Sequence, residues 1–202
     1  MNSWIILEWI AVVAGFACVL FAALEKIWTW PLGIISVGIF LVIFFHARLY
    51  ADMTLQVFFL VSGFYGWYNW KYGGKAKDDL PITDSSLQEW VLYLAIGFLS
   101  LLGIGYFFDT YTDADLAYWD AYTTAFSLVA QILMAQKKLV NWLLWIAVDL
   151  VAIGIYFYKE LYPTTILYVG YLILAISGYL VWRKLYREQM SATQQPDLQE
   201  MM

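Results

Sequence analysis

The sequence predicts an all-α membrane protein: seven transmembrane helices forming two parallel three-helix bundles joined by a linking helix. Three observations predict it: a composition too apolar for a water-soluble globule, apolar stretches along the whole chain, and an internal duplication. Hydrophobic residues make up 63 % of the 202-residue chain, aromatic residues 20 % and charged residues only 13 %. That charged share is about half of what a soluble domain carries. A globule of this size has too little interior to hide so much apolar surface, and lipid removes the conflict. Cys18 is the only cysteine and lies in an apolar run, so no disulfide framework or thiolate metal site is expected. It reads as a small buried hydrophobe. No cofactor is expected.

Taken in order, helices are expected near 4–24, 30–46, 51–70, 89–108, 119–136, 141–158 and 163–182. Each must satisfy its backbone internally, because the bilayer core offers no water. The first stretch lacks a basic n-region and has Glu8 where its hydrophobic run begins. It is therefore expected to be a retained span and not a cleaved signal. Polar links fall at Lys71–Gln88 and Asp109–Leu116, and the tail holding Gln194, Gln195, Pro196 and Asp197 reads as disordered.

Basic residues set the expected orientation. With the N-terminus outside, the cytoplasmic links hold Lys26, Lys71, Lys75, Lys77, Lys137, Lys138, Arg183, Lys184 and Arg187, and the outer links hold Arg48 and Lys159. The acidic residues Asp109, Asp113 and Asp115 then lie outside. An N-out, C-in chain follows.

A shift of 112 residues aligns two halves without a gap. Trp30 falls on Trp142, Ile34 on Ile146, Phe45 on Phe157, Leu49 on Leu161, Tyr50 on Tyr162 and Leu55 on Leu167. Leu60 falls on Leu172, Gly66 on Gly178, Trp70 on Trp182, Lys71 on Arg183 and Glu8 on Asp120. Leucine matches are cheap in such a chain, but register-locked tryptophan, tyrosine and glycine pairs are not. A repeat of three helices is odd, so one linking helix makes the copies parallel, with the site expected at their interface near mid-membrane. The expected organisation is 1–72 as first bundle, 73–116 as cytoplasmic loop, linking helix and outer loop, 117–185 as second bundle and 186–202 as cytoplasmic tail.

Polar residues within spans are costly unless they face the bundle interior, so each is a functional candidate. Helix five carries Asp120, Thr124, Ser127 and Gln131 on one face. Helix six carries Trp142, Trp145 and Asp149, with Tyr156 further along, and helix seven carries Thr164, Tyr168 and Tyr171. Helix three has Asp52, Gln56, Phe59 and Gly63 at the matching positions. The plainer readings are backbone-bonded hydroxyls and interfacial anchors, the latter for Trp67, Trp70, Trp90 and Trp182. Stacked indoles and phenols suit a flat heteroaromatic ring, more so a cationic one. Amides and a carboxylate suit hydroxyls or an attached amide. A nucleoside-like or vitamin-like substrate fits.

The strings LYADMTLQVFF, GWYNW, WDAYTTAFSLVAQILM, NWLLW and KELYPTTILY resemble the PnuC family of bacterial vitamin transporters, over about residues 4–185. The resemblance implies the 3+1+3 fold of the SWEET and PQ-loop transporters. It also implies facilitated diffusion of nicotinamide riboside across the inner membrane, with trapping by a cytoplasmic kinase that need not touch the carrier. By this resemblance Asn141, Trp142 and Trp145 line the pocket, and Gln56 and Gln131 are polar contacts. Asp149 stands where some nicotinamide riboside carriers have Asn, and thiamine-carrying relatives share the skeleton, so thiamine stays open as an alternative to nicotinamide riboside. The expected partners are the substrate, the lipid bilayer and, in a homo-oligomer, further copies of the chain; nucleic acid is not among them. His46, the only histidine, has no nucleophile or metal-ligand spacing around it, which argues against an intramembrane hydrolase. A channel would need carbonyl or charged rings that a two-copy bundle does not readily supply.

Overall fold

In a computed structural model the chain is described over residues 3–48, 50–74, 79–112 and 115–200, with side chains over 4–48, 53–74, 79–112 and 115–192. Lys75, Lys77 and Asp113 and the side chains of Asp52, Gln194, Gln195, Pro196 and Asp197 therefore lie outside the described parts. Among the described residues seven helices follow one another: α1 Ser3–Ala23, α2 Thr29–His46, α3 Tyr50–Tyr72, α4 Leu87–Tyr111, α5 Ala117–Ala135, α6 Asn141–Tyr158 and α7 Tyr162–Glu200.

Five of them, α1, α2, α4, α6 and α7, are long and apolar enough to cross a membrane. The sequence expectation was seven spans, and α3 and α5 fall short for a physical reason. These two carry Gln56, Asn69 and Lys71, and Asp120, Thr123, Thr124, Ser127 and Gln131. The tail differs from expectation as well. α7 continues to Glu200, with Ser191 Oγ donating to the Arg187 carbonyl at 3.0 Å. The residues after the apolar stretch, such as Lys184, Leu185, Arg187, Glu188, Gln189 and Met190, are good helix formers, so nothing stops the helix there.

The 112-residue spacing recurs in the backbone. α2 and α6 begin and end at matching positions, as do the starts of α3 and α7 and the ends of α1 and α5. Among the described residues four non-glycine positions adopt left-handed φ: Glu25 (56°), Arg48 (58°), Lys137 (50°) and Glu160 (58°). They too form two pairs 112 apart. Each stands two residues beyond a helix, where a left-handed residue lets the last carbonyls be capped. After α1, Lys26 N–H donates to Phe21 O and Glu25 N–H to Ala22 O; after α5, Lys138 N–H donates to Leu133 O and Lys137 N–H to Met134 O. The conformation costs about 1–2 kcal/mol at a residue with a Cβ, which those caps offset.

Within each copy successive helices pack together: α1 on α2, α2 on α3, α5 on α6, α6 on α7. Between copies α1 meets α7 and α3 meets α5, while α4 lies along α5. Small residues permit the close approach: Ala117, Ala121 and Ala125 are buried on α5, and Gly97 and Gly105 of α4 receive the rings of Phe126 and Tyr118. Most large apolar side chains on the remaining faces, such as Leu99, Ile166 and Ile173, are exposed. The α3–α4 link is pinned beneath α5 and α6. Thr83 N–H donates to Lys137 O at 3.1 Å and Leu139 N–H to Thr83 O at 2.9 Å, and Ile82 is buried. α4 then starts at a capping box made by Ser86 and Glu89.

Candidate functional site

A cavity of about 680 Å³ opens inside the bundle. It takes side chains from α1, α2, α3, α5, α6 and α7, with Phe108 from the end of α4. Nine of the ten residues expected to bind substrate line it: Gln56, Thr124, Ser127, Gln131, Trp142, Trp145, Asp149, Tyr168 and Tyr171. Asn141 does not line it. As the first residue of α6 it is fully buried, and its Nδ2 donates to the Lys138 carbonyl at 2.6 Å, holding the α5–α6 turn.

The lining has a second regularity. Eight pairs of lining residues stand 112 positions apart: Val19 and Gln131, Ala22 and Met134, Trp30 and Trp142, Gly33 and Trp145, Val37 and Asp149, Gln56 and Tyr168, Phe59 and Tyr171, Gly63 and Ala175. Chemistry separates the members. The second copy supplies the carboxylate, two tyrosines and an extra indole, where the first supplies valine, glycine, glutamine and phenylalanine. The sequence reading passed over Trp30, Gly33 and Val37. Their signal was present, since each is the repeat partner of a residue already singled out.

Asp149 is 4 % exposed, and among the described residues its carboxylate forms no ion pair and no hydrogen bond. Burying an unpaired charge at membrane depth costs several kcal/mol, a cost that a cationic ligand offsets. A tyrosine cluster stands at the same cavity. Tyr156 and Tyr168 stack at 5.0 Å, and Tyr168 meets Tyr171 edge-on at 5.8 Å. Thr123 and Thr124 both turn their hydroxyls back to the Asp120 carbonyl at 2.9 Å, which is the plain structural use of such residues. Asp120 itself pairs with Lys159 at 3.2 Å.

Four tryptophans, Trp30, Trp70, Trp142 and Trp182, cluster at the lysine-rich end of the cavity. Trp30 packs edge-on against Trp70 at 5.4 Å, and its repeat partner Trp142 packs edge-on against Trp182 at 5.5 Å. Trp70 Nε1 donates to Met134 O and Trp182 Nε1 to Ala22 O, each at 3.0 Å. The sequence reading had Trp70 and Trp182 as interfacial anchors, but they are 2 % and 0 % exposed. The indole N–H groups of Trp30 and Trp142 have no partner among the described residues and sit at cavity-lining positions. Trp142 is 1 % exposed, with its ring lying against Gly178, whereas Trp145 is only partly buried. Aromatic faces, unused donors and an unpaired carboxylate around one cavity can hold a flat, hydroxylated cation.

A family model described as nicotinamide mononucleotide transporter matches residues 5–184. The chain belongs to that family. Among relatives of the nicotinamide mononucleotide transporter family, it is 29 % identical to the nicotinamide riboside transporter PnuC of Escherichia coli (strain K12), over 94 % of this chain and 89 % of that protein. It is 28 % identical to the nicotinamide riboside transporter PnuC of Neisseria mucosa, over 92 % of this chain and 74 % of that protein. A riboflavin/roseoflavin transporter, RibM of Streptomyces davaonensis, is 27 % identical over 78 % of this chain and 75 % of that protein. The crystal structure of the vitamin B3 transporter PnuC matches with a TM-score of 0.71 at 26 % identity, covering 93 % of this chain and 83 % of that one. Membership of this family makes the chain a membrane transporter and not an enzyme.

Proposed function

We propose that the chain carries nicotinamide riboside across the bacterial inner membrane by facilitated diffusion, with the substrate held in the central cavity and trapped inside by phosphorylation. The observation that carries the substrate class is the buried, unpaired Asp149 beside Trp145 and the tyrosines. Nicotinamide riboside has a flat cationic ring for these groups and ribose hydroxyls for Gln56, Gln131 and Ser127. Thiamine, also flat, cationic and hydroxylated, is the second reading on the same carboxylate. Riboflavin is uncharged, so the carboxylate argues against it although one relative is named for it.

The architecture proposed is 3+1+3, with bundles 1–72 and 117–185 related by an approximate two-fold axis along the membrane normal. The matched helix ends and the eight lining pairs support it, and so does the contact pattern, since α1 on α7 and α5 on α3 are repeat equivalents. The excess of Lys and Arg on one set of links supports an outside N-terminus. The test is binding by calorimetry and uptake into liposomes by the purified protein. Saturable, non-concentrative uptake of nicotinamide riboside is expected, and Asp149→Asn should weaken its binding by about 1.5 kcal/mol or more, as loss of a close charge pair does. Tight binding of thiamine with none of nicotinamide riboside would reassign the substrate. Accumulation driven by an imposed proton or sodium gradient would overturn passive transport.

A further inference from the structure

We propose that Glu25, Lys137, Trp70 and Trp182 form a gate at the lysine-rich end of the cavity, built from repeat counterparts that bond to each other. The proposal rests on the transport reading of the cavity. The lining reaches Ala22, Met134, Trp30 and Trp142 at this end. Next come Trp70 and Trp182, residues 112 apart, whose rings meet at 5.6 Å. Their two hydrogen bonds run in opposite directions, Trp70 of the first copy to the Met134 carbonyl of the second, and Trp182 of the second to the Ala22 carbonyl of the first. Beyond them Lys137 Nζ bonds Glu25 Oε1 at 2.9 Å, and these two are also 112 apart. Lys137 is 6 % exposed, and its ammonium sits 4.6 Å from the Trp70 ring centroid.

A second cavity of about 650 Å³ lies on the far side, lined by Glu25, Lys26, Trp70, Asp79 and Lys137. The layer thus stands between two cavities, and its ion pair, its ring contact and both indole bonds cross from one copy to the other. A residue that touches its own repeat counterpart lies where the copies face each other, so a rocking of the copies separates such contacts directly. The opposite end is different: the ion pair there, Asp120 with Lys159, joins two residues of the second copy. The fold is held shut at the lysine-rich end and not latched between copies at the other by any described ion pair.

The symmetry gives the gate a distinctive test. Exchanging the charges, Glu25→Lys with Lys137→Glu, rebuilds the pair in the related geometry and moves the ammonium from Trp70 to its counterpart Trp182. Cys18, the only cysteine, lines the main cavity and reports access. Its modification by a membrane-impermeant cationic methanethiosulfonate, applied to the lysine-rich side of oriented vesicles, is the readout. Either single substitution should speed modification about ten-fold, within the usual range of coupling free energies, and the double exchange should return it close to the starting rate. Trp70→Phe and Trp182→Phe keep the rings and lose the donors, so they should open the gate to similar extents. They also serve if a charge variant fails to fold. Unchanged access in the Phe variants and in the folded charge variants, or a double exchange as open as the singles, overturns the gate. The readout needs no substrate, so it stands apart from uptake: absent uptake by the unaltered protein would count against the transport reading alone.

Discussion

Trp142 and Trp145 stand three residues apart on one face of α6, yet the surroundings assign them different work. Trp142 is 1 % exposed, packed on Trp182 and set against Gly178. Trp142→Ala removes that packing and should cost about 3–5 kcal/mol of stability, as large-to-small core changes do. Trp145 is partly buried on the cavity wall. Trp145→Ala should cost less stability than Trp142→Ala, because that indole is only partly buried, and weaken nicotinamide riboside binding by about 0.5–2 kcal/mol, with Trp145→Phe losing less. Calorimetry on monodisperse protein, paired with thermal unfolding, separates the two effects. Equal affinities for Trp145→Ala and the unaltered protein would remove that indole from the site.

The helices fit one another through two glycines that are repeat partners. A Cβ at Gly66 would run into the Trp30 ring, and one at Gly178 into the Trp142 ring. Rigid indoles in a packed layer give little, and overpacking of this kind typically costs about 1–3 kcal/mol. Gly66→Ala and Gly178→Ala should therefore lower the unfolding midpoint by similar amounts. Gly154→Ala is the control, because nothing lies within 4 Å of a Cβ there. Clearly unequal losses at the two glycines would mean that the two halves do not use their tryptophans alike. The contacts also explain why α3 and α5 are the two helices without an apolar run long enough to cross a membrane: they meet each other and give the cavity Gln56, Thr124, Ser127 and Gln131.

For the whole molecule the decisive quantity is which end faces the cytoplasm. Single cysteines at Asp84, in the α3–α4 link, and at Asp115, just before α5, should react with an impermeant thiol reagent from opposite sides, in a Cys18→Ser background. Asp84 should react from the cytoplasmic side and Asp115 from the outside. Labelling of both from one side would overturn the orientation and the odd number of crossings together. Reversed labelling would keep the architecture and invert the direction in which the tryptophan layer closes.

The sequence by itself determined the helices, the 112-residue register and most of the residues that line the central cavity. Helix ends were legible within a few residues everywhere but at the far end of α7, since apolar runs end where the chain meets polar links. The duplication was legible because tryptophan and glycine are costly to misplace, so Trp30, Gly66 and Trp70 kept their register with Trp142, Gly178 and Trp182. Polar groups in apolar helices have few harmless positions, which is why nine expected residues meet at one cavity. Tertiary structure alone decided what each group does there. Helical spacing says which residues share a face, but not which neighbour that face meets. Asn141 went to the α5–α6 turn, Thr124 to its own backbone, and Trp70 and Trp182 to a buried layer at the lysine-rich end. The pairing of Glu25 with Lys137 is the clearest case: residues 112 apart in sequence come into contact only because the two copies face one another.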